Sequence, residues 1–185
     1  MVRTVFAVAV AAAMTLAAPA FANEWRLDQS ASTVEFETTV FGGTTTGVFE
    51  EFDADITLDP NNLEAARIDA VVRTASGSMG NNDYQSALIG GQGLDPQDHP
   101  EARFVSEDIR AADDGYEAHG VLTVKGVETD LVLPFTLAID GDRAVADGSF
   151  TVDRNTFNVG GSGWGDVGAE VTVILHIEAD RAEQS

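Results

Sequence analysis

The sequence predicts an all-β fold of about eight strands, mostly antiparallel neighbours, and three observations carry that prediction. Past residue 23 the dominant hydropathy period is two, as in Phe52-Asp53-Ala54-Asp55-Ile56-Thr57-Leu58, which marks strands with one buried and one wet face. Turn chemistry separates the runs at Gly42-Gly43, Asp59-Pro60-Asn61-Asn62, Asp113-Asp114-Gly115, Lys125-Gly126 and Asp140-Gly141-Asp142. No helical pattern lies between the strands to support a parallel sheet.

The chain begins with a different kind of segment. Arg3 precedes an apolar run over residues 5–16, and Ala20-Phe21-Ala22 is a small-x-small site. This is the layout of a secretory signal peptide over residues 1–22, cleaved after Ala22. Counted on to Ala22 the apolar run comes near spanning length, so an uncleaved anchor is the competing reading; Pro19 and the A-x-A site favour cleavage. Residues 23–185 are enough for a single domain with its own core.

Within that domain, residues 34–37, 67–72 and 171–177 alternate as strands. Residues 120–124 and 127–137 read as a hairpin across Lys125-Gly126, and residues 132–139 pair with 143–152. Residues 79–100 break the pattern: the segment is long, Gly-rich and irregular. It holds one short helix, Asn82–Leu88, with Asn81 or Asn82 as N-cap and Gly90 as stop. Such a segment in a compact β domain is expected to be a lid or a binding loop. Eight half-buried strands close as a sandwich or as a barrel, and a barrel of that size holds one elongated ligand. A barrel embedded in the outer membrane is excluded, because lipid would face Glu35, Glu37, Asp53, Asp55 and Asp69.

Charge narrows the partners. There are 31 acidic and 10 basic residues, a formal net charge of −21, so nucleic acid and anionic headgroups are repelled. The acids are spread along the chain rather than gathered in a tail. With no cysteine, disulfides, thiolate catalysis and thiolate metal sites are ruled out.

Motifs that carry chemistry fare poorly. Gly163-Trp164-Gly165-Asp166-Val167-Gly168 has the spacing G-x-G-x-x-G, but a strand follows it where a dinucleotide loop needs a helix N-terminus. His99, His119 and His176 are far apart, and His176 is expected as an ordinary exposed histidine on the polar face of the last strand. No metal site and no cofactor is expected. Ser76 and Ser162 lack a neighbouring base, so nucleophilic catalysis has no signature. The phenylalanines are more informative. Phe36, Phe49, Phe52, Phe104, Phe135, Phe150 and Phe157 are spread along the strands, either as a filled core or as the lining of a lumen. In a lumen, each buried methylene of a long ligand contributes about 0.8 kcal/mol.

Several blocks carry a resemblance, by their order and spacing together. They are Trp25-Arg26-Leu27-Asp28, Ser32-Thr33-Val34-Glu35-Phe36, Gly47-Val48-Phe49 with Phe52, and Asp83 with Leu88. His99-Pro100-Glu101-Ala102-Arg103-Phe104, residues 120–127, Leu131-Val132-Leu133-Pro134-Phe135 and residues 150–160 complete the set. On these the chain resembles the YceI family of exported lipid-binding proteins. The resemblance implies an extended eight-stranded antiparallel lipocalin-like barrel, with the short helix and Gly-rich loop at one mouth. It implies a polyisoprenoid or other long-chain apolar lipid in the lumen, a periplasmic location and no catalysis.

The ligand-binding residues expected on this basis are Phe36, Phe49, Phe52, Asp83, Leu88, Leu94, Phe104, Leu122, Phe135, Phe150, Arg154, Phe157 and Trp164. Two departures from the family pattern are Asn82-Asp83 for an Arg-Asp pair and Gly93-Leu94 for two aromatics, and the loss of the two rings is expected to widen or loosen the mouth. Arg73, Lys125 and Arg154 are the few cations in the matching blocks, which favours a quinone-like headgroup over a pyrophosphate. Arg154 is expected to pair with a buried acid or to aim at the headgroup. Two other classes stay open on the residues alone: an enzyme acting on a small apolar substrate, marked by His119 beside Asp83 and Arg154, or a stress-related structural protein with a filled core. The sequence does not set an oligomeric state, and a homodimer is compatible with it.

Overall fold

The computed structural model describes residues 23–161 and 163–182, and the expected leader over residues 1–22 lies outside them. The strands are β1 (Glu24–Leu27), β2 (Thr33–Val40), β3 (Gly43–Phe49), β4 (Phe52–Thr57), β5 (Arg67–Arg73) and β6 (Gly77–Met79). The helix α1 (Asn82–Leu88) follows, then β7 (Glu101–Ala112), β8 (Gly115–Val124), β9 (Val127–Asp140), β10 (Arg143–Asp153) and β11 (Glu170–Arg181). Every pairing is antiparallel, and the ring β1-β4-β5-β7-β8-β9-β10-β11 closes on itself through β11 and β1.

The eleven segments make eight long strands. β11 pairs first with β2, from Thr172↔Glu37 to His176↔Thr33, and then with β1, from Ala179↔Leu27 to Arg181↔Trp25. β1 and β2 are therefore two halves of one strand, as are β3 with β4 and β5 with β6. The three interruptions, at residues 28–32, 50–51 and 74–76, form a crease across neighbouring strands. Other bonds replace the lost ladder there. Ser32 Oγ accepts the Glu178 N–H at 2.9 Å and donates to the Asp28 carbonyl at 2.8 Å. The Glu51 N–H donates to Ser76 Oγ at 3.0 Å, and the Arg73 N–H to the Glu51 carbonyl at 2.9 Å.

One end of the barrel is plugged and the other opens under α1. At the plugged end the Trp25 indole N–H donates to the Leu58 carbonyl at 2.9 Å, and the Arg181 guanidinium lies 4.7 Å from the Trp25 ring centroid. At the other end β6 pairs only with β3, so the gap toward β7 is covered by α1 and the segment after it. Asn81 caps α1 by accepting the Asp83 and Tyr84 N–H groups, which settles the choice between Asn81 and Asn82.

An ion network on the outer face holds the crease against β10 and β11. Arg143 donates to Glu178 at 2.9 Å, Asp28 at 3.1 Å and Asp180 at 3.0 Å. Next to it His176 contacts Asp147 at 2.6 Å and Glu178 at 3.3 Å. His176 is on the polar face as expected, but it is a bridging group rather than an ordinary exposed histidine. Its bonds to Asp147, and then to Glu178, raise its pKa above the usual 6.5, and Glu178 is lowered by Arg143 and then by His176. A raised histidine pKa adds stability that is complete below pH 6.5 and is lost as pH rises through the folded-state value. The melting temperature is therefore expected to fall as pH is raised from about 6 to about 9, and His176→Asn to flatten that fall. Equal slopes for the two proteins in a calorimetric pH series would show that the network does not act this way.

Candidate functional site

Because inward residues along these strands are apolar at every second position, closing the sheet encloses hydrocarbon surface. The enclosed space has two lobes. The lower, of about 180 Å³, runs from Trp25 and Leu58 at the plug up through Phe52, Phe104 and Phe135. The upper, of about 310 Å³, reaches from Phe36 and Phe49 to the mouth beneath α1. The two lobes share six wall residues (Val34, Val72, Ala102, Leu122, Phe150 and Val173), which form a waist beside the crease. An apolar cavity of roughly 150 Å³ accepts one benzene and stays dry when empty, so the lobes together suit a chain of a few such units.

Twelve of the thirteen expected residues lie on this lumen. Phe52, Phe104 and Phe135 face the lower lobe, and Leu122 and Phe150 stand at the waist. Phe36, Phe49, Leu88, Leu94, Arg154, Phe157 and Trp164 face the upper lobe. Asp83 is the exception. It sits in the first turn of α1 with its side chain in solvent, where an acid suits the helix dipole. The list also passed over Phe41, Thr38 and Tyr84, which line the mouth. Their signal was present in the Gly42-Gly43 turn and in the helix reading, but neither says which residues a mouth will contain.

Arg154 takes neither of its expected partners. It is 8% exposed and its guanidinium sits in a cage of oxygens, four of them main-chain carbonyls. Nε donates to Gly168 O at 2.9 Å, and Nη1 to Val159 O at 2.7 Å and Asn155 Oδ1 at 3.3 Å. Nη2 donates to Trp164 O at 3.2 Å and Val167 O at 3.0 Å. These bonds use all five N–H groups, so no donor is left for a headgroup. The Gly163–Gly168 run is thus wrapped around an arginine rather than a phosphate. Gly160, at φ +105°, makes the wrapping possible, since a Cβ there would strike Arg154 and Trp164.

The Gly-rich segment is fastened as well. Lys125, at the β8–β9 tip, donates to Gly91 O and Gly93 O, each at 2.9 Å, and the Gly160 N–H donates to Gln92 O at 2.6 Å. Gly93 lies so close to the Ala87 and Leu88 carbonyls that a side chain would not fit, while Leu94 turns inward. Arg73, the third candidate cation, is ion-paired with Glu101 on the outer face.

His119 points outward and contacts Glu117 at 3.1 Å, Asp83 is in solvent and Arg154 is caged, so the three are not brought together. Among the described residues no group of three or more His, Asp or Glu is placed to hold a metal ion.

The fold and the lumen define the class: an antiparallel barrel, acid-studded outside, that encloses an elongated apolar cavity opening at one end. The chain belongs to the YceI family, whose YceI-like domain model matches residues 25–179. It is 27% identical to a UPF0312 protein of Yersinia enterocolitica over 98% of both chains, and 27% identical to one of Pseudomonas aeruginosa. Among solved structures, BcnA of Burkholderia cenocepacia is similar at 29% identity and a TM-score of 0.79, covering 83% of this chain and 99% of that one. A polyisoprenoid binding domain from Saccharophagus degradans shares the fold at 11% identity and a TM-score of 0.68, over 86% and 99% of the two chains.

Replacing Arg154 by Met would leave buried carbonyls without donors, at a cost on the order of 3 kcal/mol. Urea denaturation is expected to show that loss, with Arg154→Lys intermediate because an ammonium has three donors rather than five. Lys125→Met is expected to speed amide exchange over residues 89–95 while sparing β8 and β9.

Proposed function

We propose that the protein is an exported carrier that holds the tail of an isoprenoid-type lipid in its lumen, shows the headgroup at the mouth and catalyses nothing. The observation that carries this reading is the shape and chemistry of the two-lobed lumen: long, closed at one end and walled by hydrocarbon. The Saccharophagus degradans domain, described as polyisoprenoid-binding, supports the ligand class. The signal-peptide layout of residues 1–22 supports export, and with it a periplasmic location.

The mouth favours a neutral headgroup such as a quinone. Of the cations near it, Arg154 and Lys125 spend their donors on main-chain carbonyls, and Asp166 adds an acid to the upper lining. A pyrophosphate would find no free fork of donors among the described residues there.

Lipid extracted from protein purified from its native host and identified by mass spectrometry tests both parts. Mainly polyprenyl pyrophosphate would refute the headgroup assignment, and no co-purifying lipid would refute the carrier. Leu122→Trp is expected to block the waist. If the lower lobe then loses even four methylenes of tail at about 0.8 kcal/mol each, long-chain affinity falls roughly two-hundredfold while short chains bind as before. Titration of prenols of increasing length against both proteins reads this directly.

A further inference from the structure

Phe41 occupies a position that folding alone does not explain. It is 74% exposed, the most exposed of the large apolar side chains among the described residues. It stands at the tip of the β2–β3 hairpin, where Phe41 and Gly42 have φ of 51° and 79°. That two-residue turn is the natural place for Asn-Gly or Gly-Gly. A phenylalanine there is unfavourable twice over, since the left-handed backbone crowds its Cβ and its ring stands in water.

Phe41 is also part of the mouth. It lines the upper lobe together with Tyr84 from α1 and Trp164 from the β10–β11 connection, both partly exposed. The Phe41 N–H donates to Asp166 O at 2.9 Å, which ties the hairpin tip to the Trp164 segment. Three rings from three separate elements thus ring one opening. Aromatic side chains with a polar atom, such as tyrosine and tryptophan, settle at the headgroup level of bilayers.

Charge points the same way. Residues 38–49, 84–94 and 155–165, the segments that build the mouth, contain no charged side chain in a protein of net charge −21. At the plugged end the turns carry Asp59, Glu64, Asp113, Asp114, Asp140 and Asp142. Asp83, Asp95, Asp153 and Asp166 flank these segments, against Lys125 and Arg154, whose donors are spent on main-chain oxygens, so a surface with net negative charge is repelled while a zwitterionic one is not.

We propose that Phe41, flanked by Tyr84 and Trp164, is an interfacial anchor that seats the mouth on a zwitterionic lipid surface. Seated there, an apolar tail passes between bilayer and lumen without crossing water. The purpose of docking rests on the carrier reading, but docking itself is measurable without any ligand.

The test is flotation of lipid-free protein, residues 23–185 holding the whole closed barrel, with phosphatidylcholine vesicles. The protein is expected to float with the vesicles and to bind less as phosphatidylglycerol is added. Phe41→Asn keeps a residue suited to the turn, so its melting temperature is expected to hold, while vesicle affinity drops roughly tenfold. No flotation of the parent protein, equal flotation of the variant, or tighter binding to anionic vesicles each overturns the proposal. So does a variant that dissociates a dimer in sedimentation without losing vesicle binding, which would assign the tip to a second copy of the chain. Loading of a detergent-dispersed polyprenol without vesicles is measured in parallel. A protein that floats but does not load sinks the carrier and leaves the anchor; one that loads but does not float does the reverse.

Discussion

The structure depends on how one strand divides its edge. β11 gives its first half to β2 and its second half to β1, and only the second pairing closes the ring. An unpaired edge would expose a row of amide groups, so the closure removes the main liability of a β protein. The division forces a break in the partner strand at residues 28–32, and the crease continues into the next two strands. Ser32 patches the ladder across it, and Arg143 clasps Asp28 from outside. The waist of the lumen lies at the same level, since Val34 and Val72 sit beside the interruptions in their strands. The shape of the cavity is a consequence of how the barrel shuts.

Two arginines show how differently one side chain can be satisfied. Arg143 lies among three carboxylates, partly in water, where each pair is worth little alone and the network fixes geometry. Arg154 is buried with no acid at all. Its charge is offset by converging carbonyl dipoles and by the Trp164 ring, 5.6 Å from the guanidinium carbon to the ring centroid. The first holds the barrel's closure and the second holds its mouth. Neither has a donor to spare, and the lumen between them is walled by hydrocarbon.

The alternation of apolar and polar residues made the strands, the hairpins and the inward set legible before any coordinates. Phe52, Phe104, Phe135 and Phe150 face the lumen because a period of two assigns faces without knowledge of neighbours. The short helix was legible for a local reason too, its cap and its glycine stop. What could not be read is non-local. Nothing near Asp28 or Ser32 says that β11 will straddle them, because the pairing spans most of the chain. The acceptors of Arg154 are main-chain oxygens whose positions no side-chain pattern reports, so the residue looked like one in want of an acid. Asp83 was misplaced because a family block gives a position in a helix, not the face on which it falls.

The cage around Arg154 separates the shape of the mouth from its composition. Since the guanidinium grips carbonyl oxygens, the course of Val159 and of residues 164–168 is set by one arginine and by Gly160, whatever side chains those residues carry. A substitution at Asp166, which is held through its main-chain oxygen by the Phe41 N–H, then alters the rim while the chain keeps its course. An engineer can treat that position as an interchangeable fitting on a fixed frame.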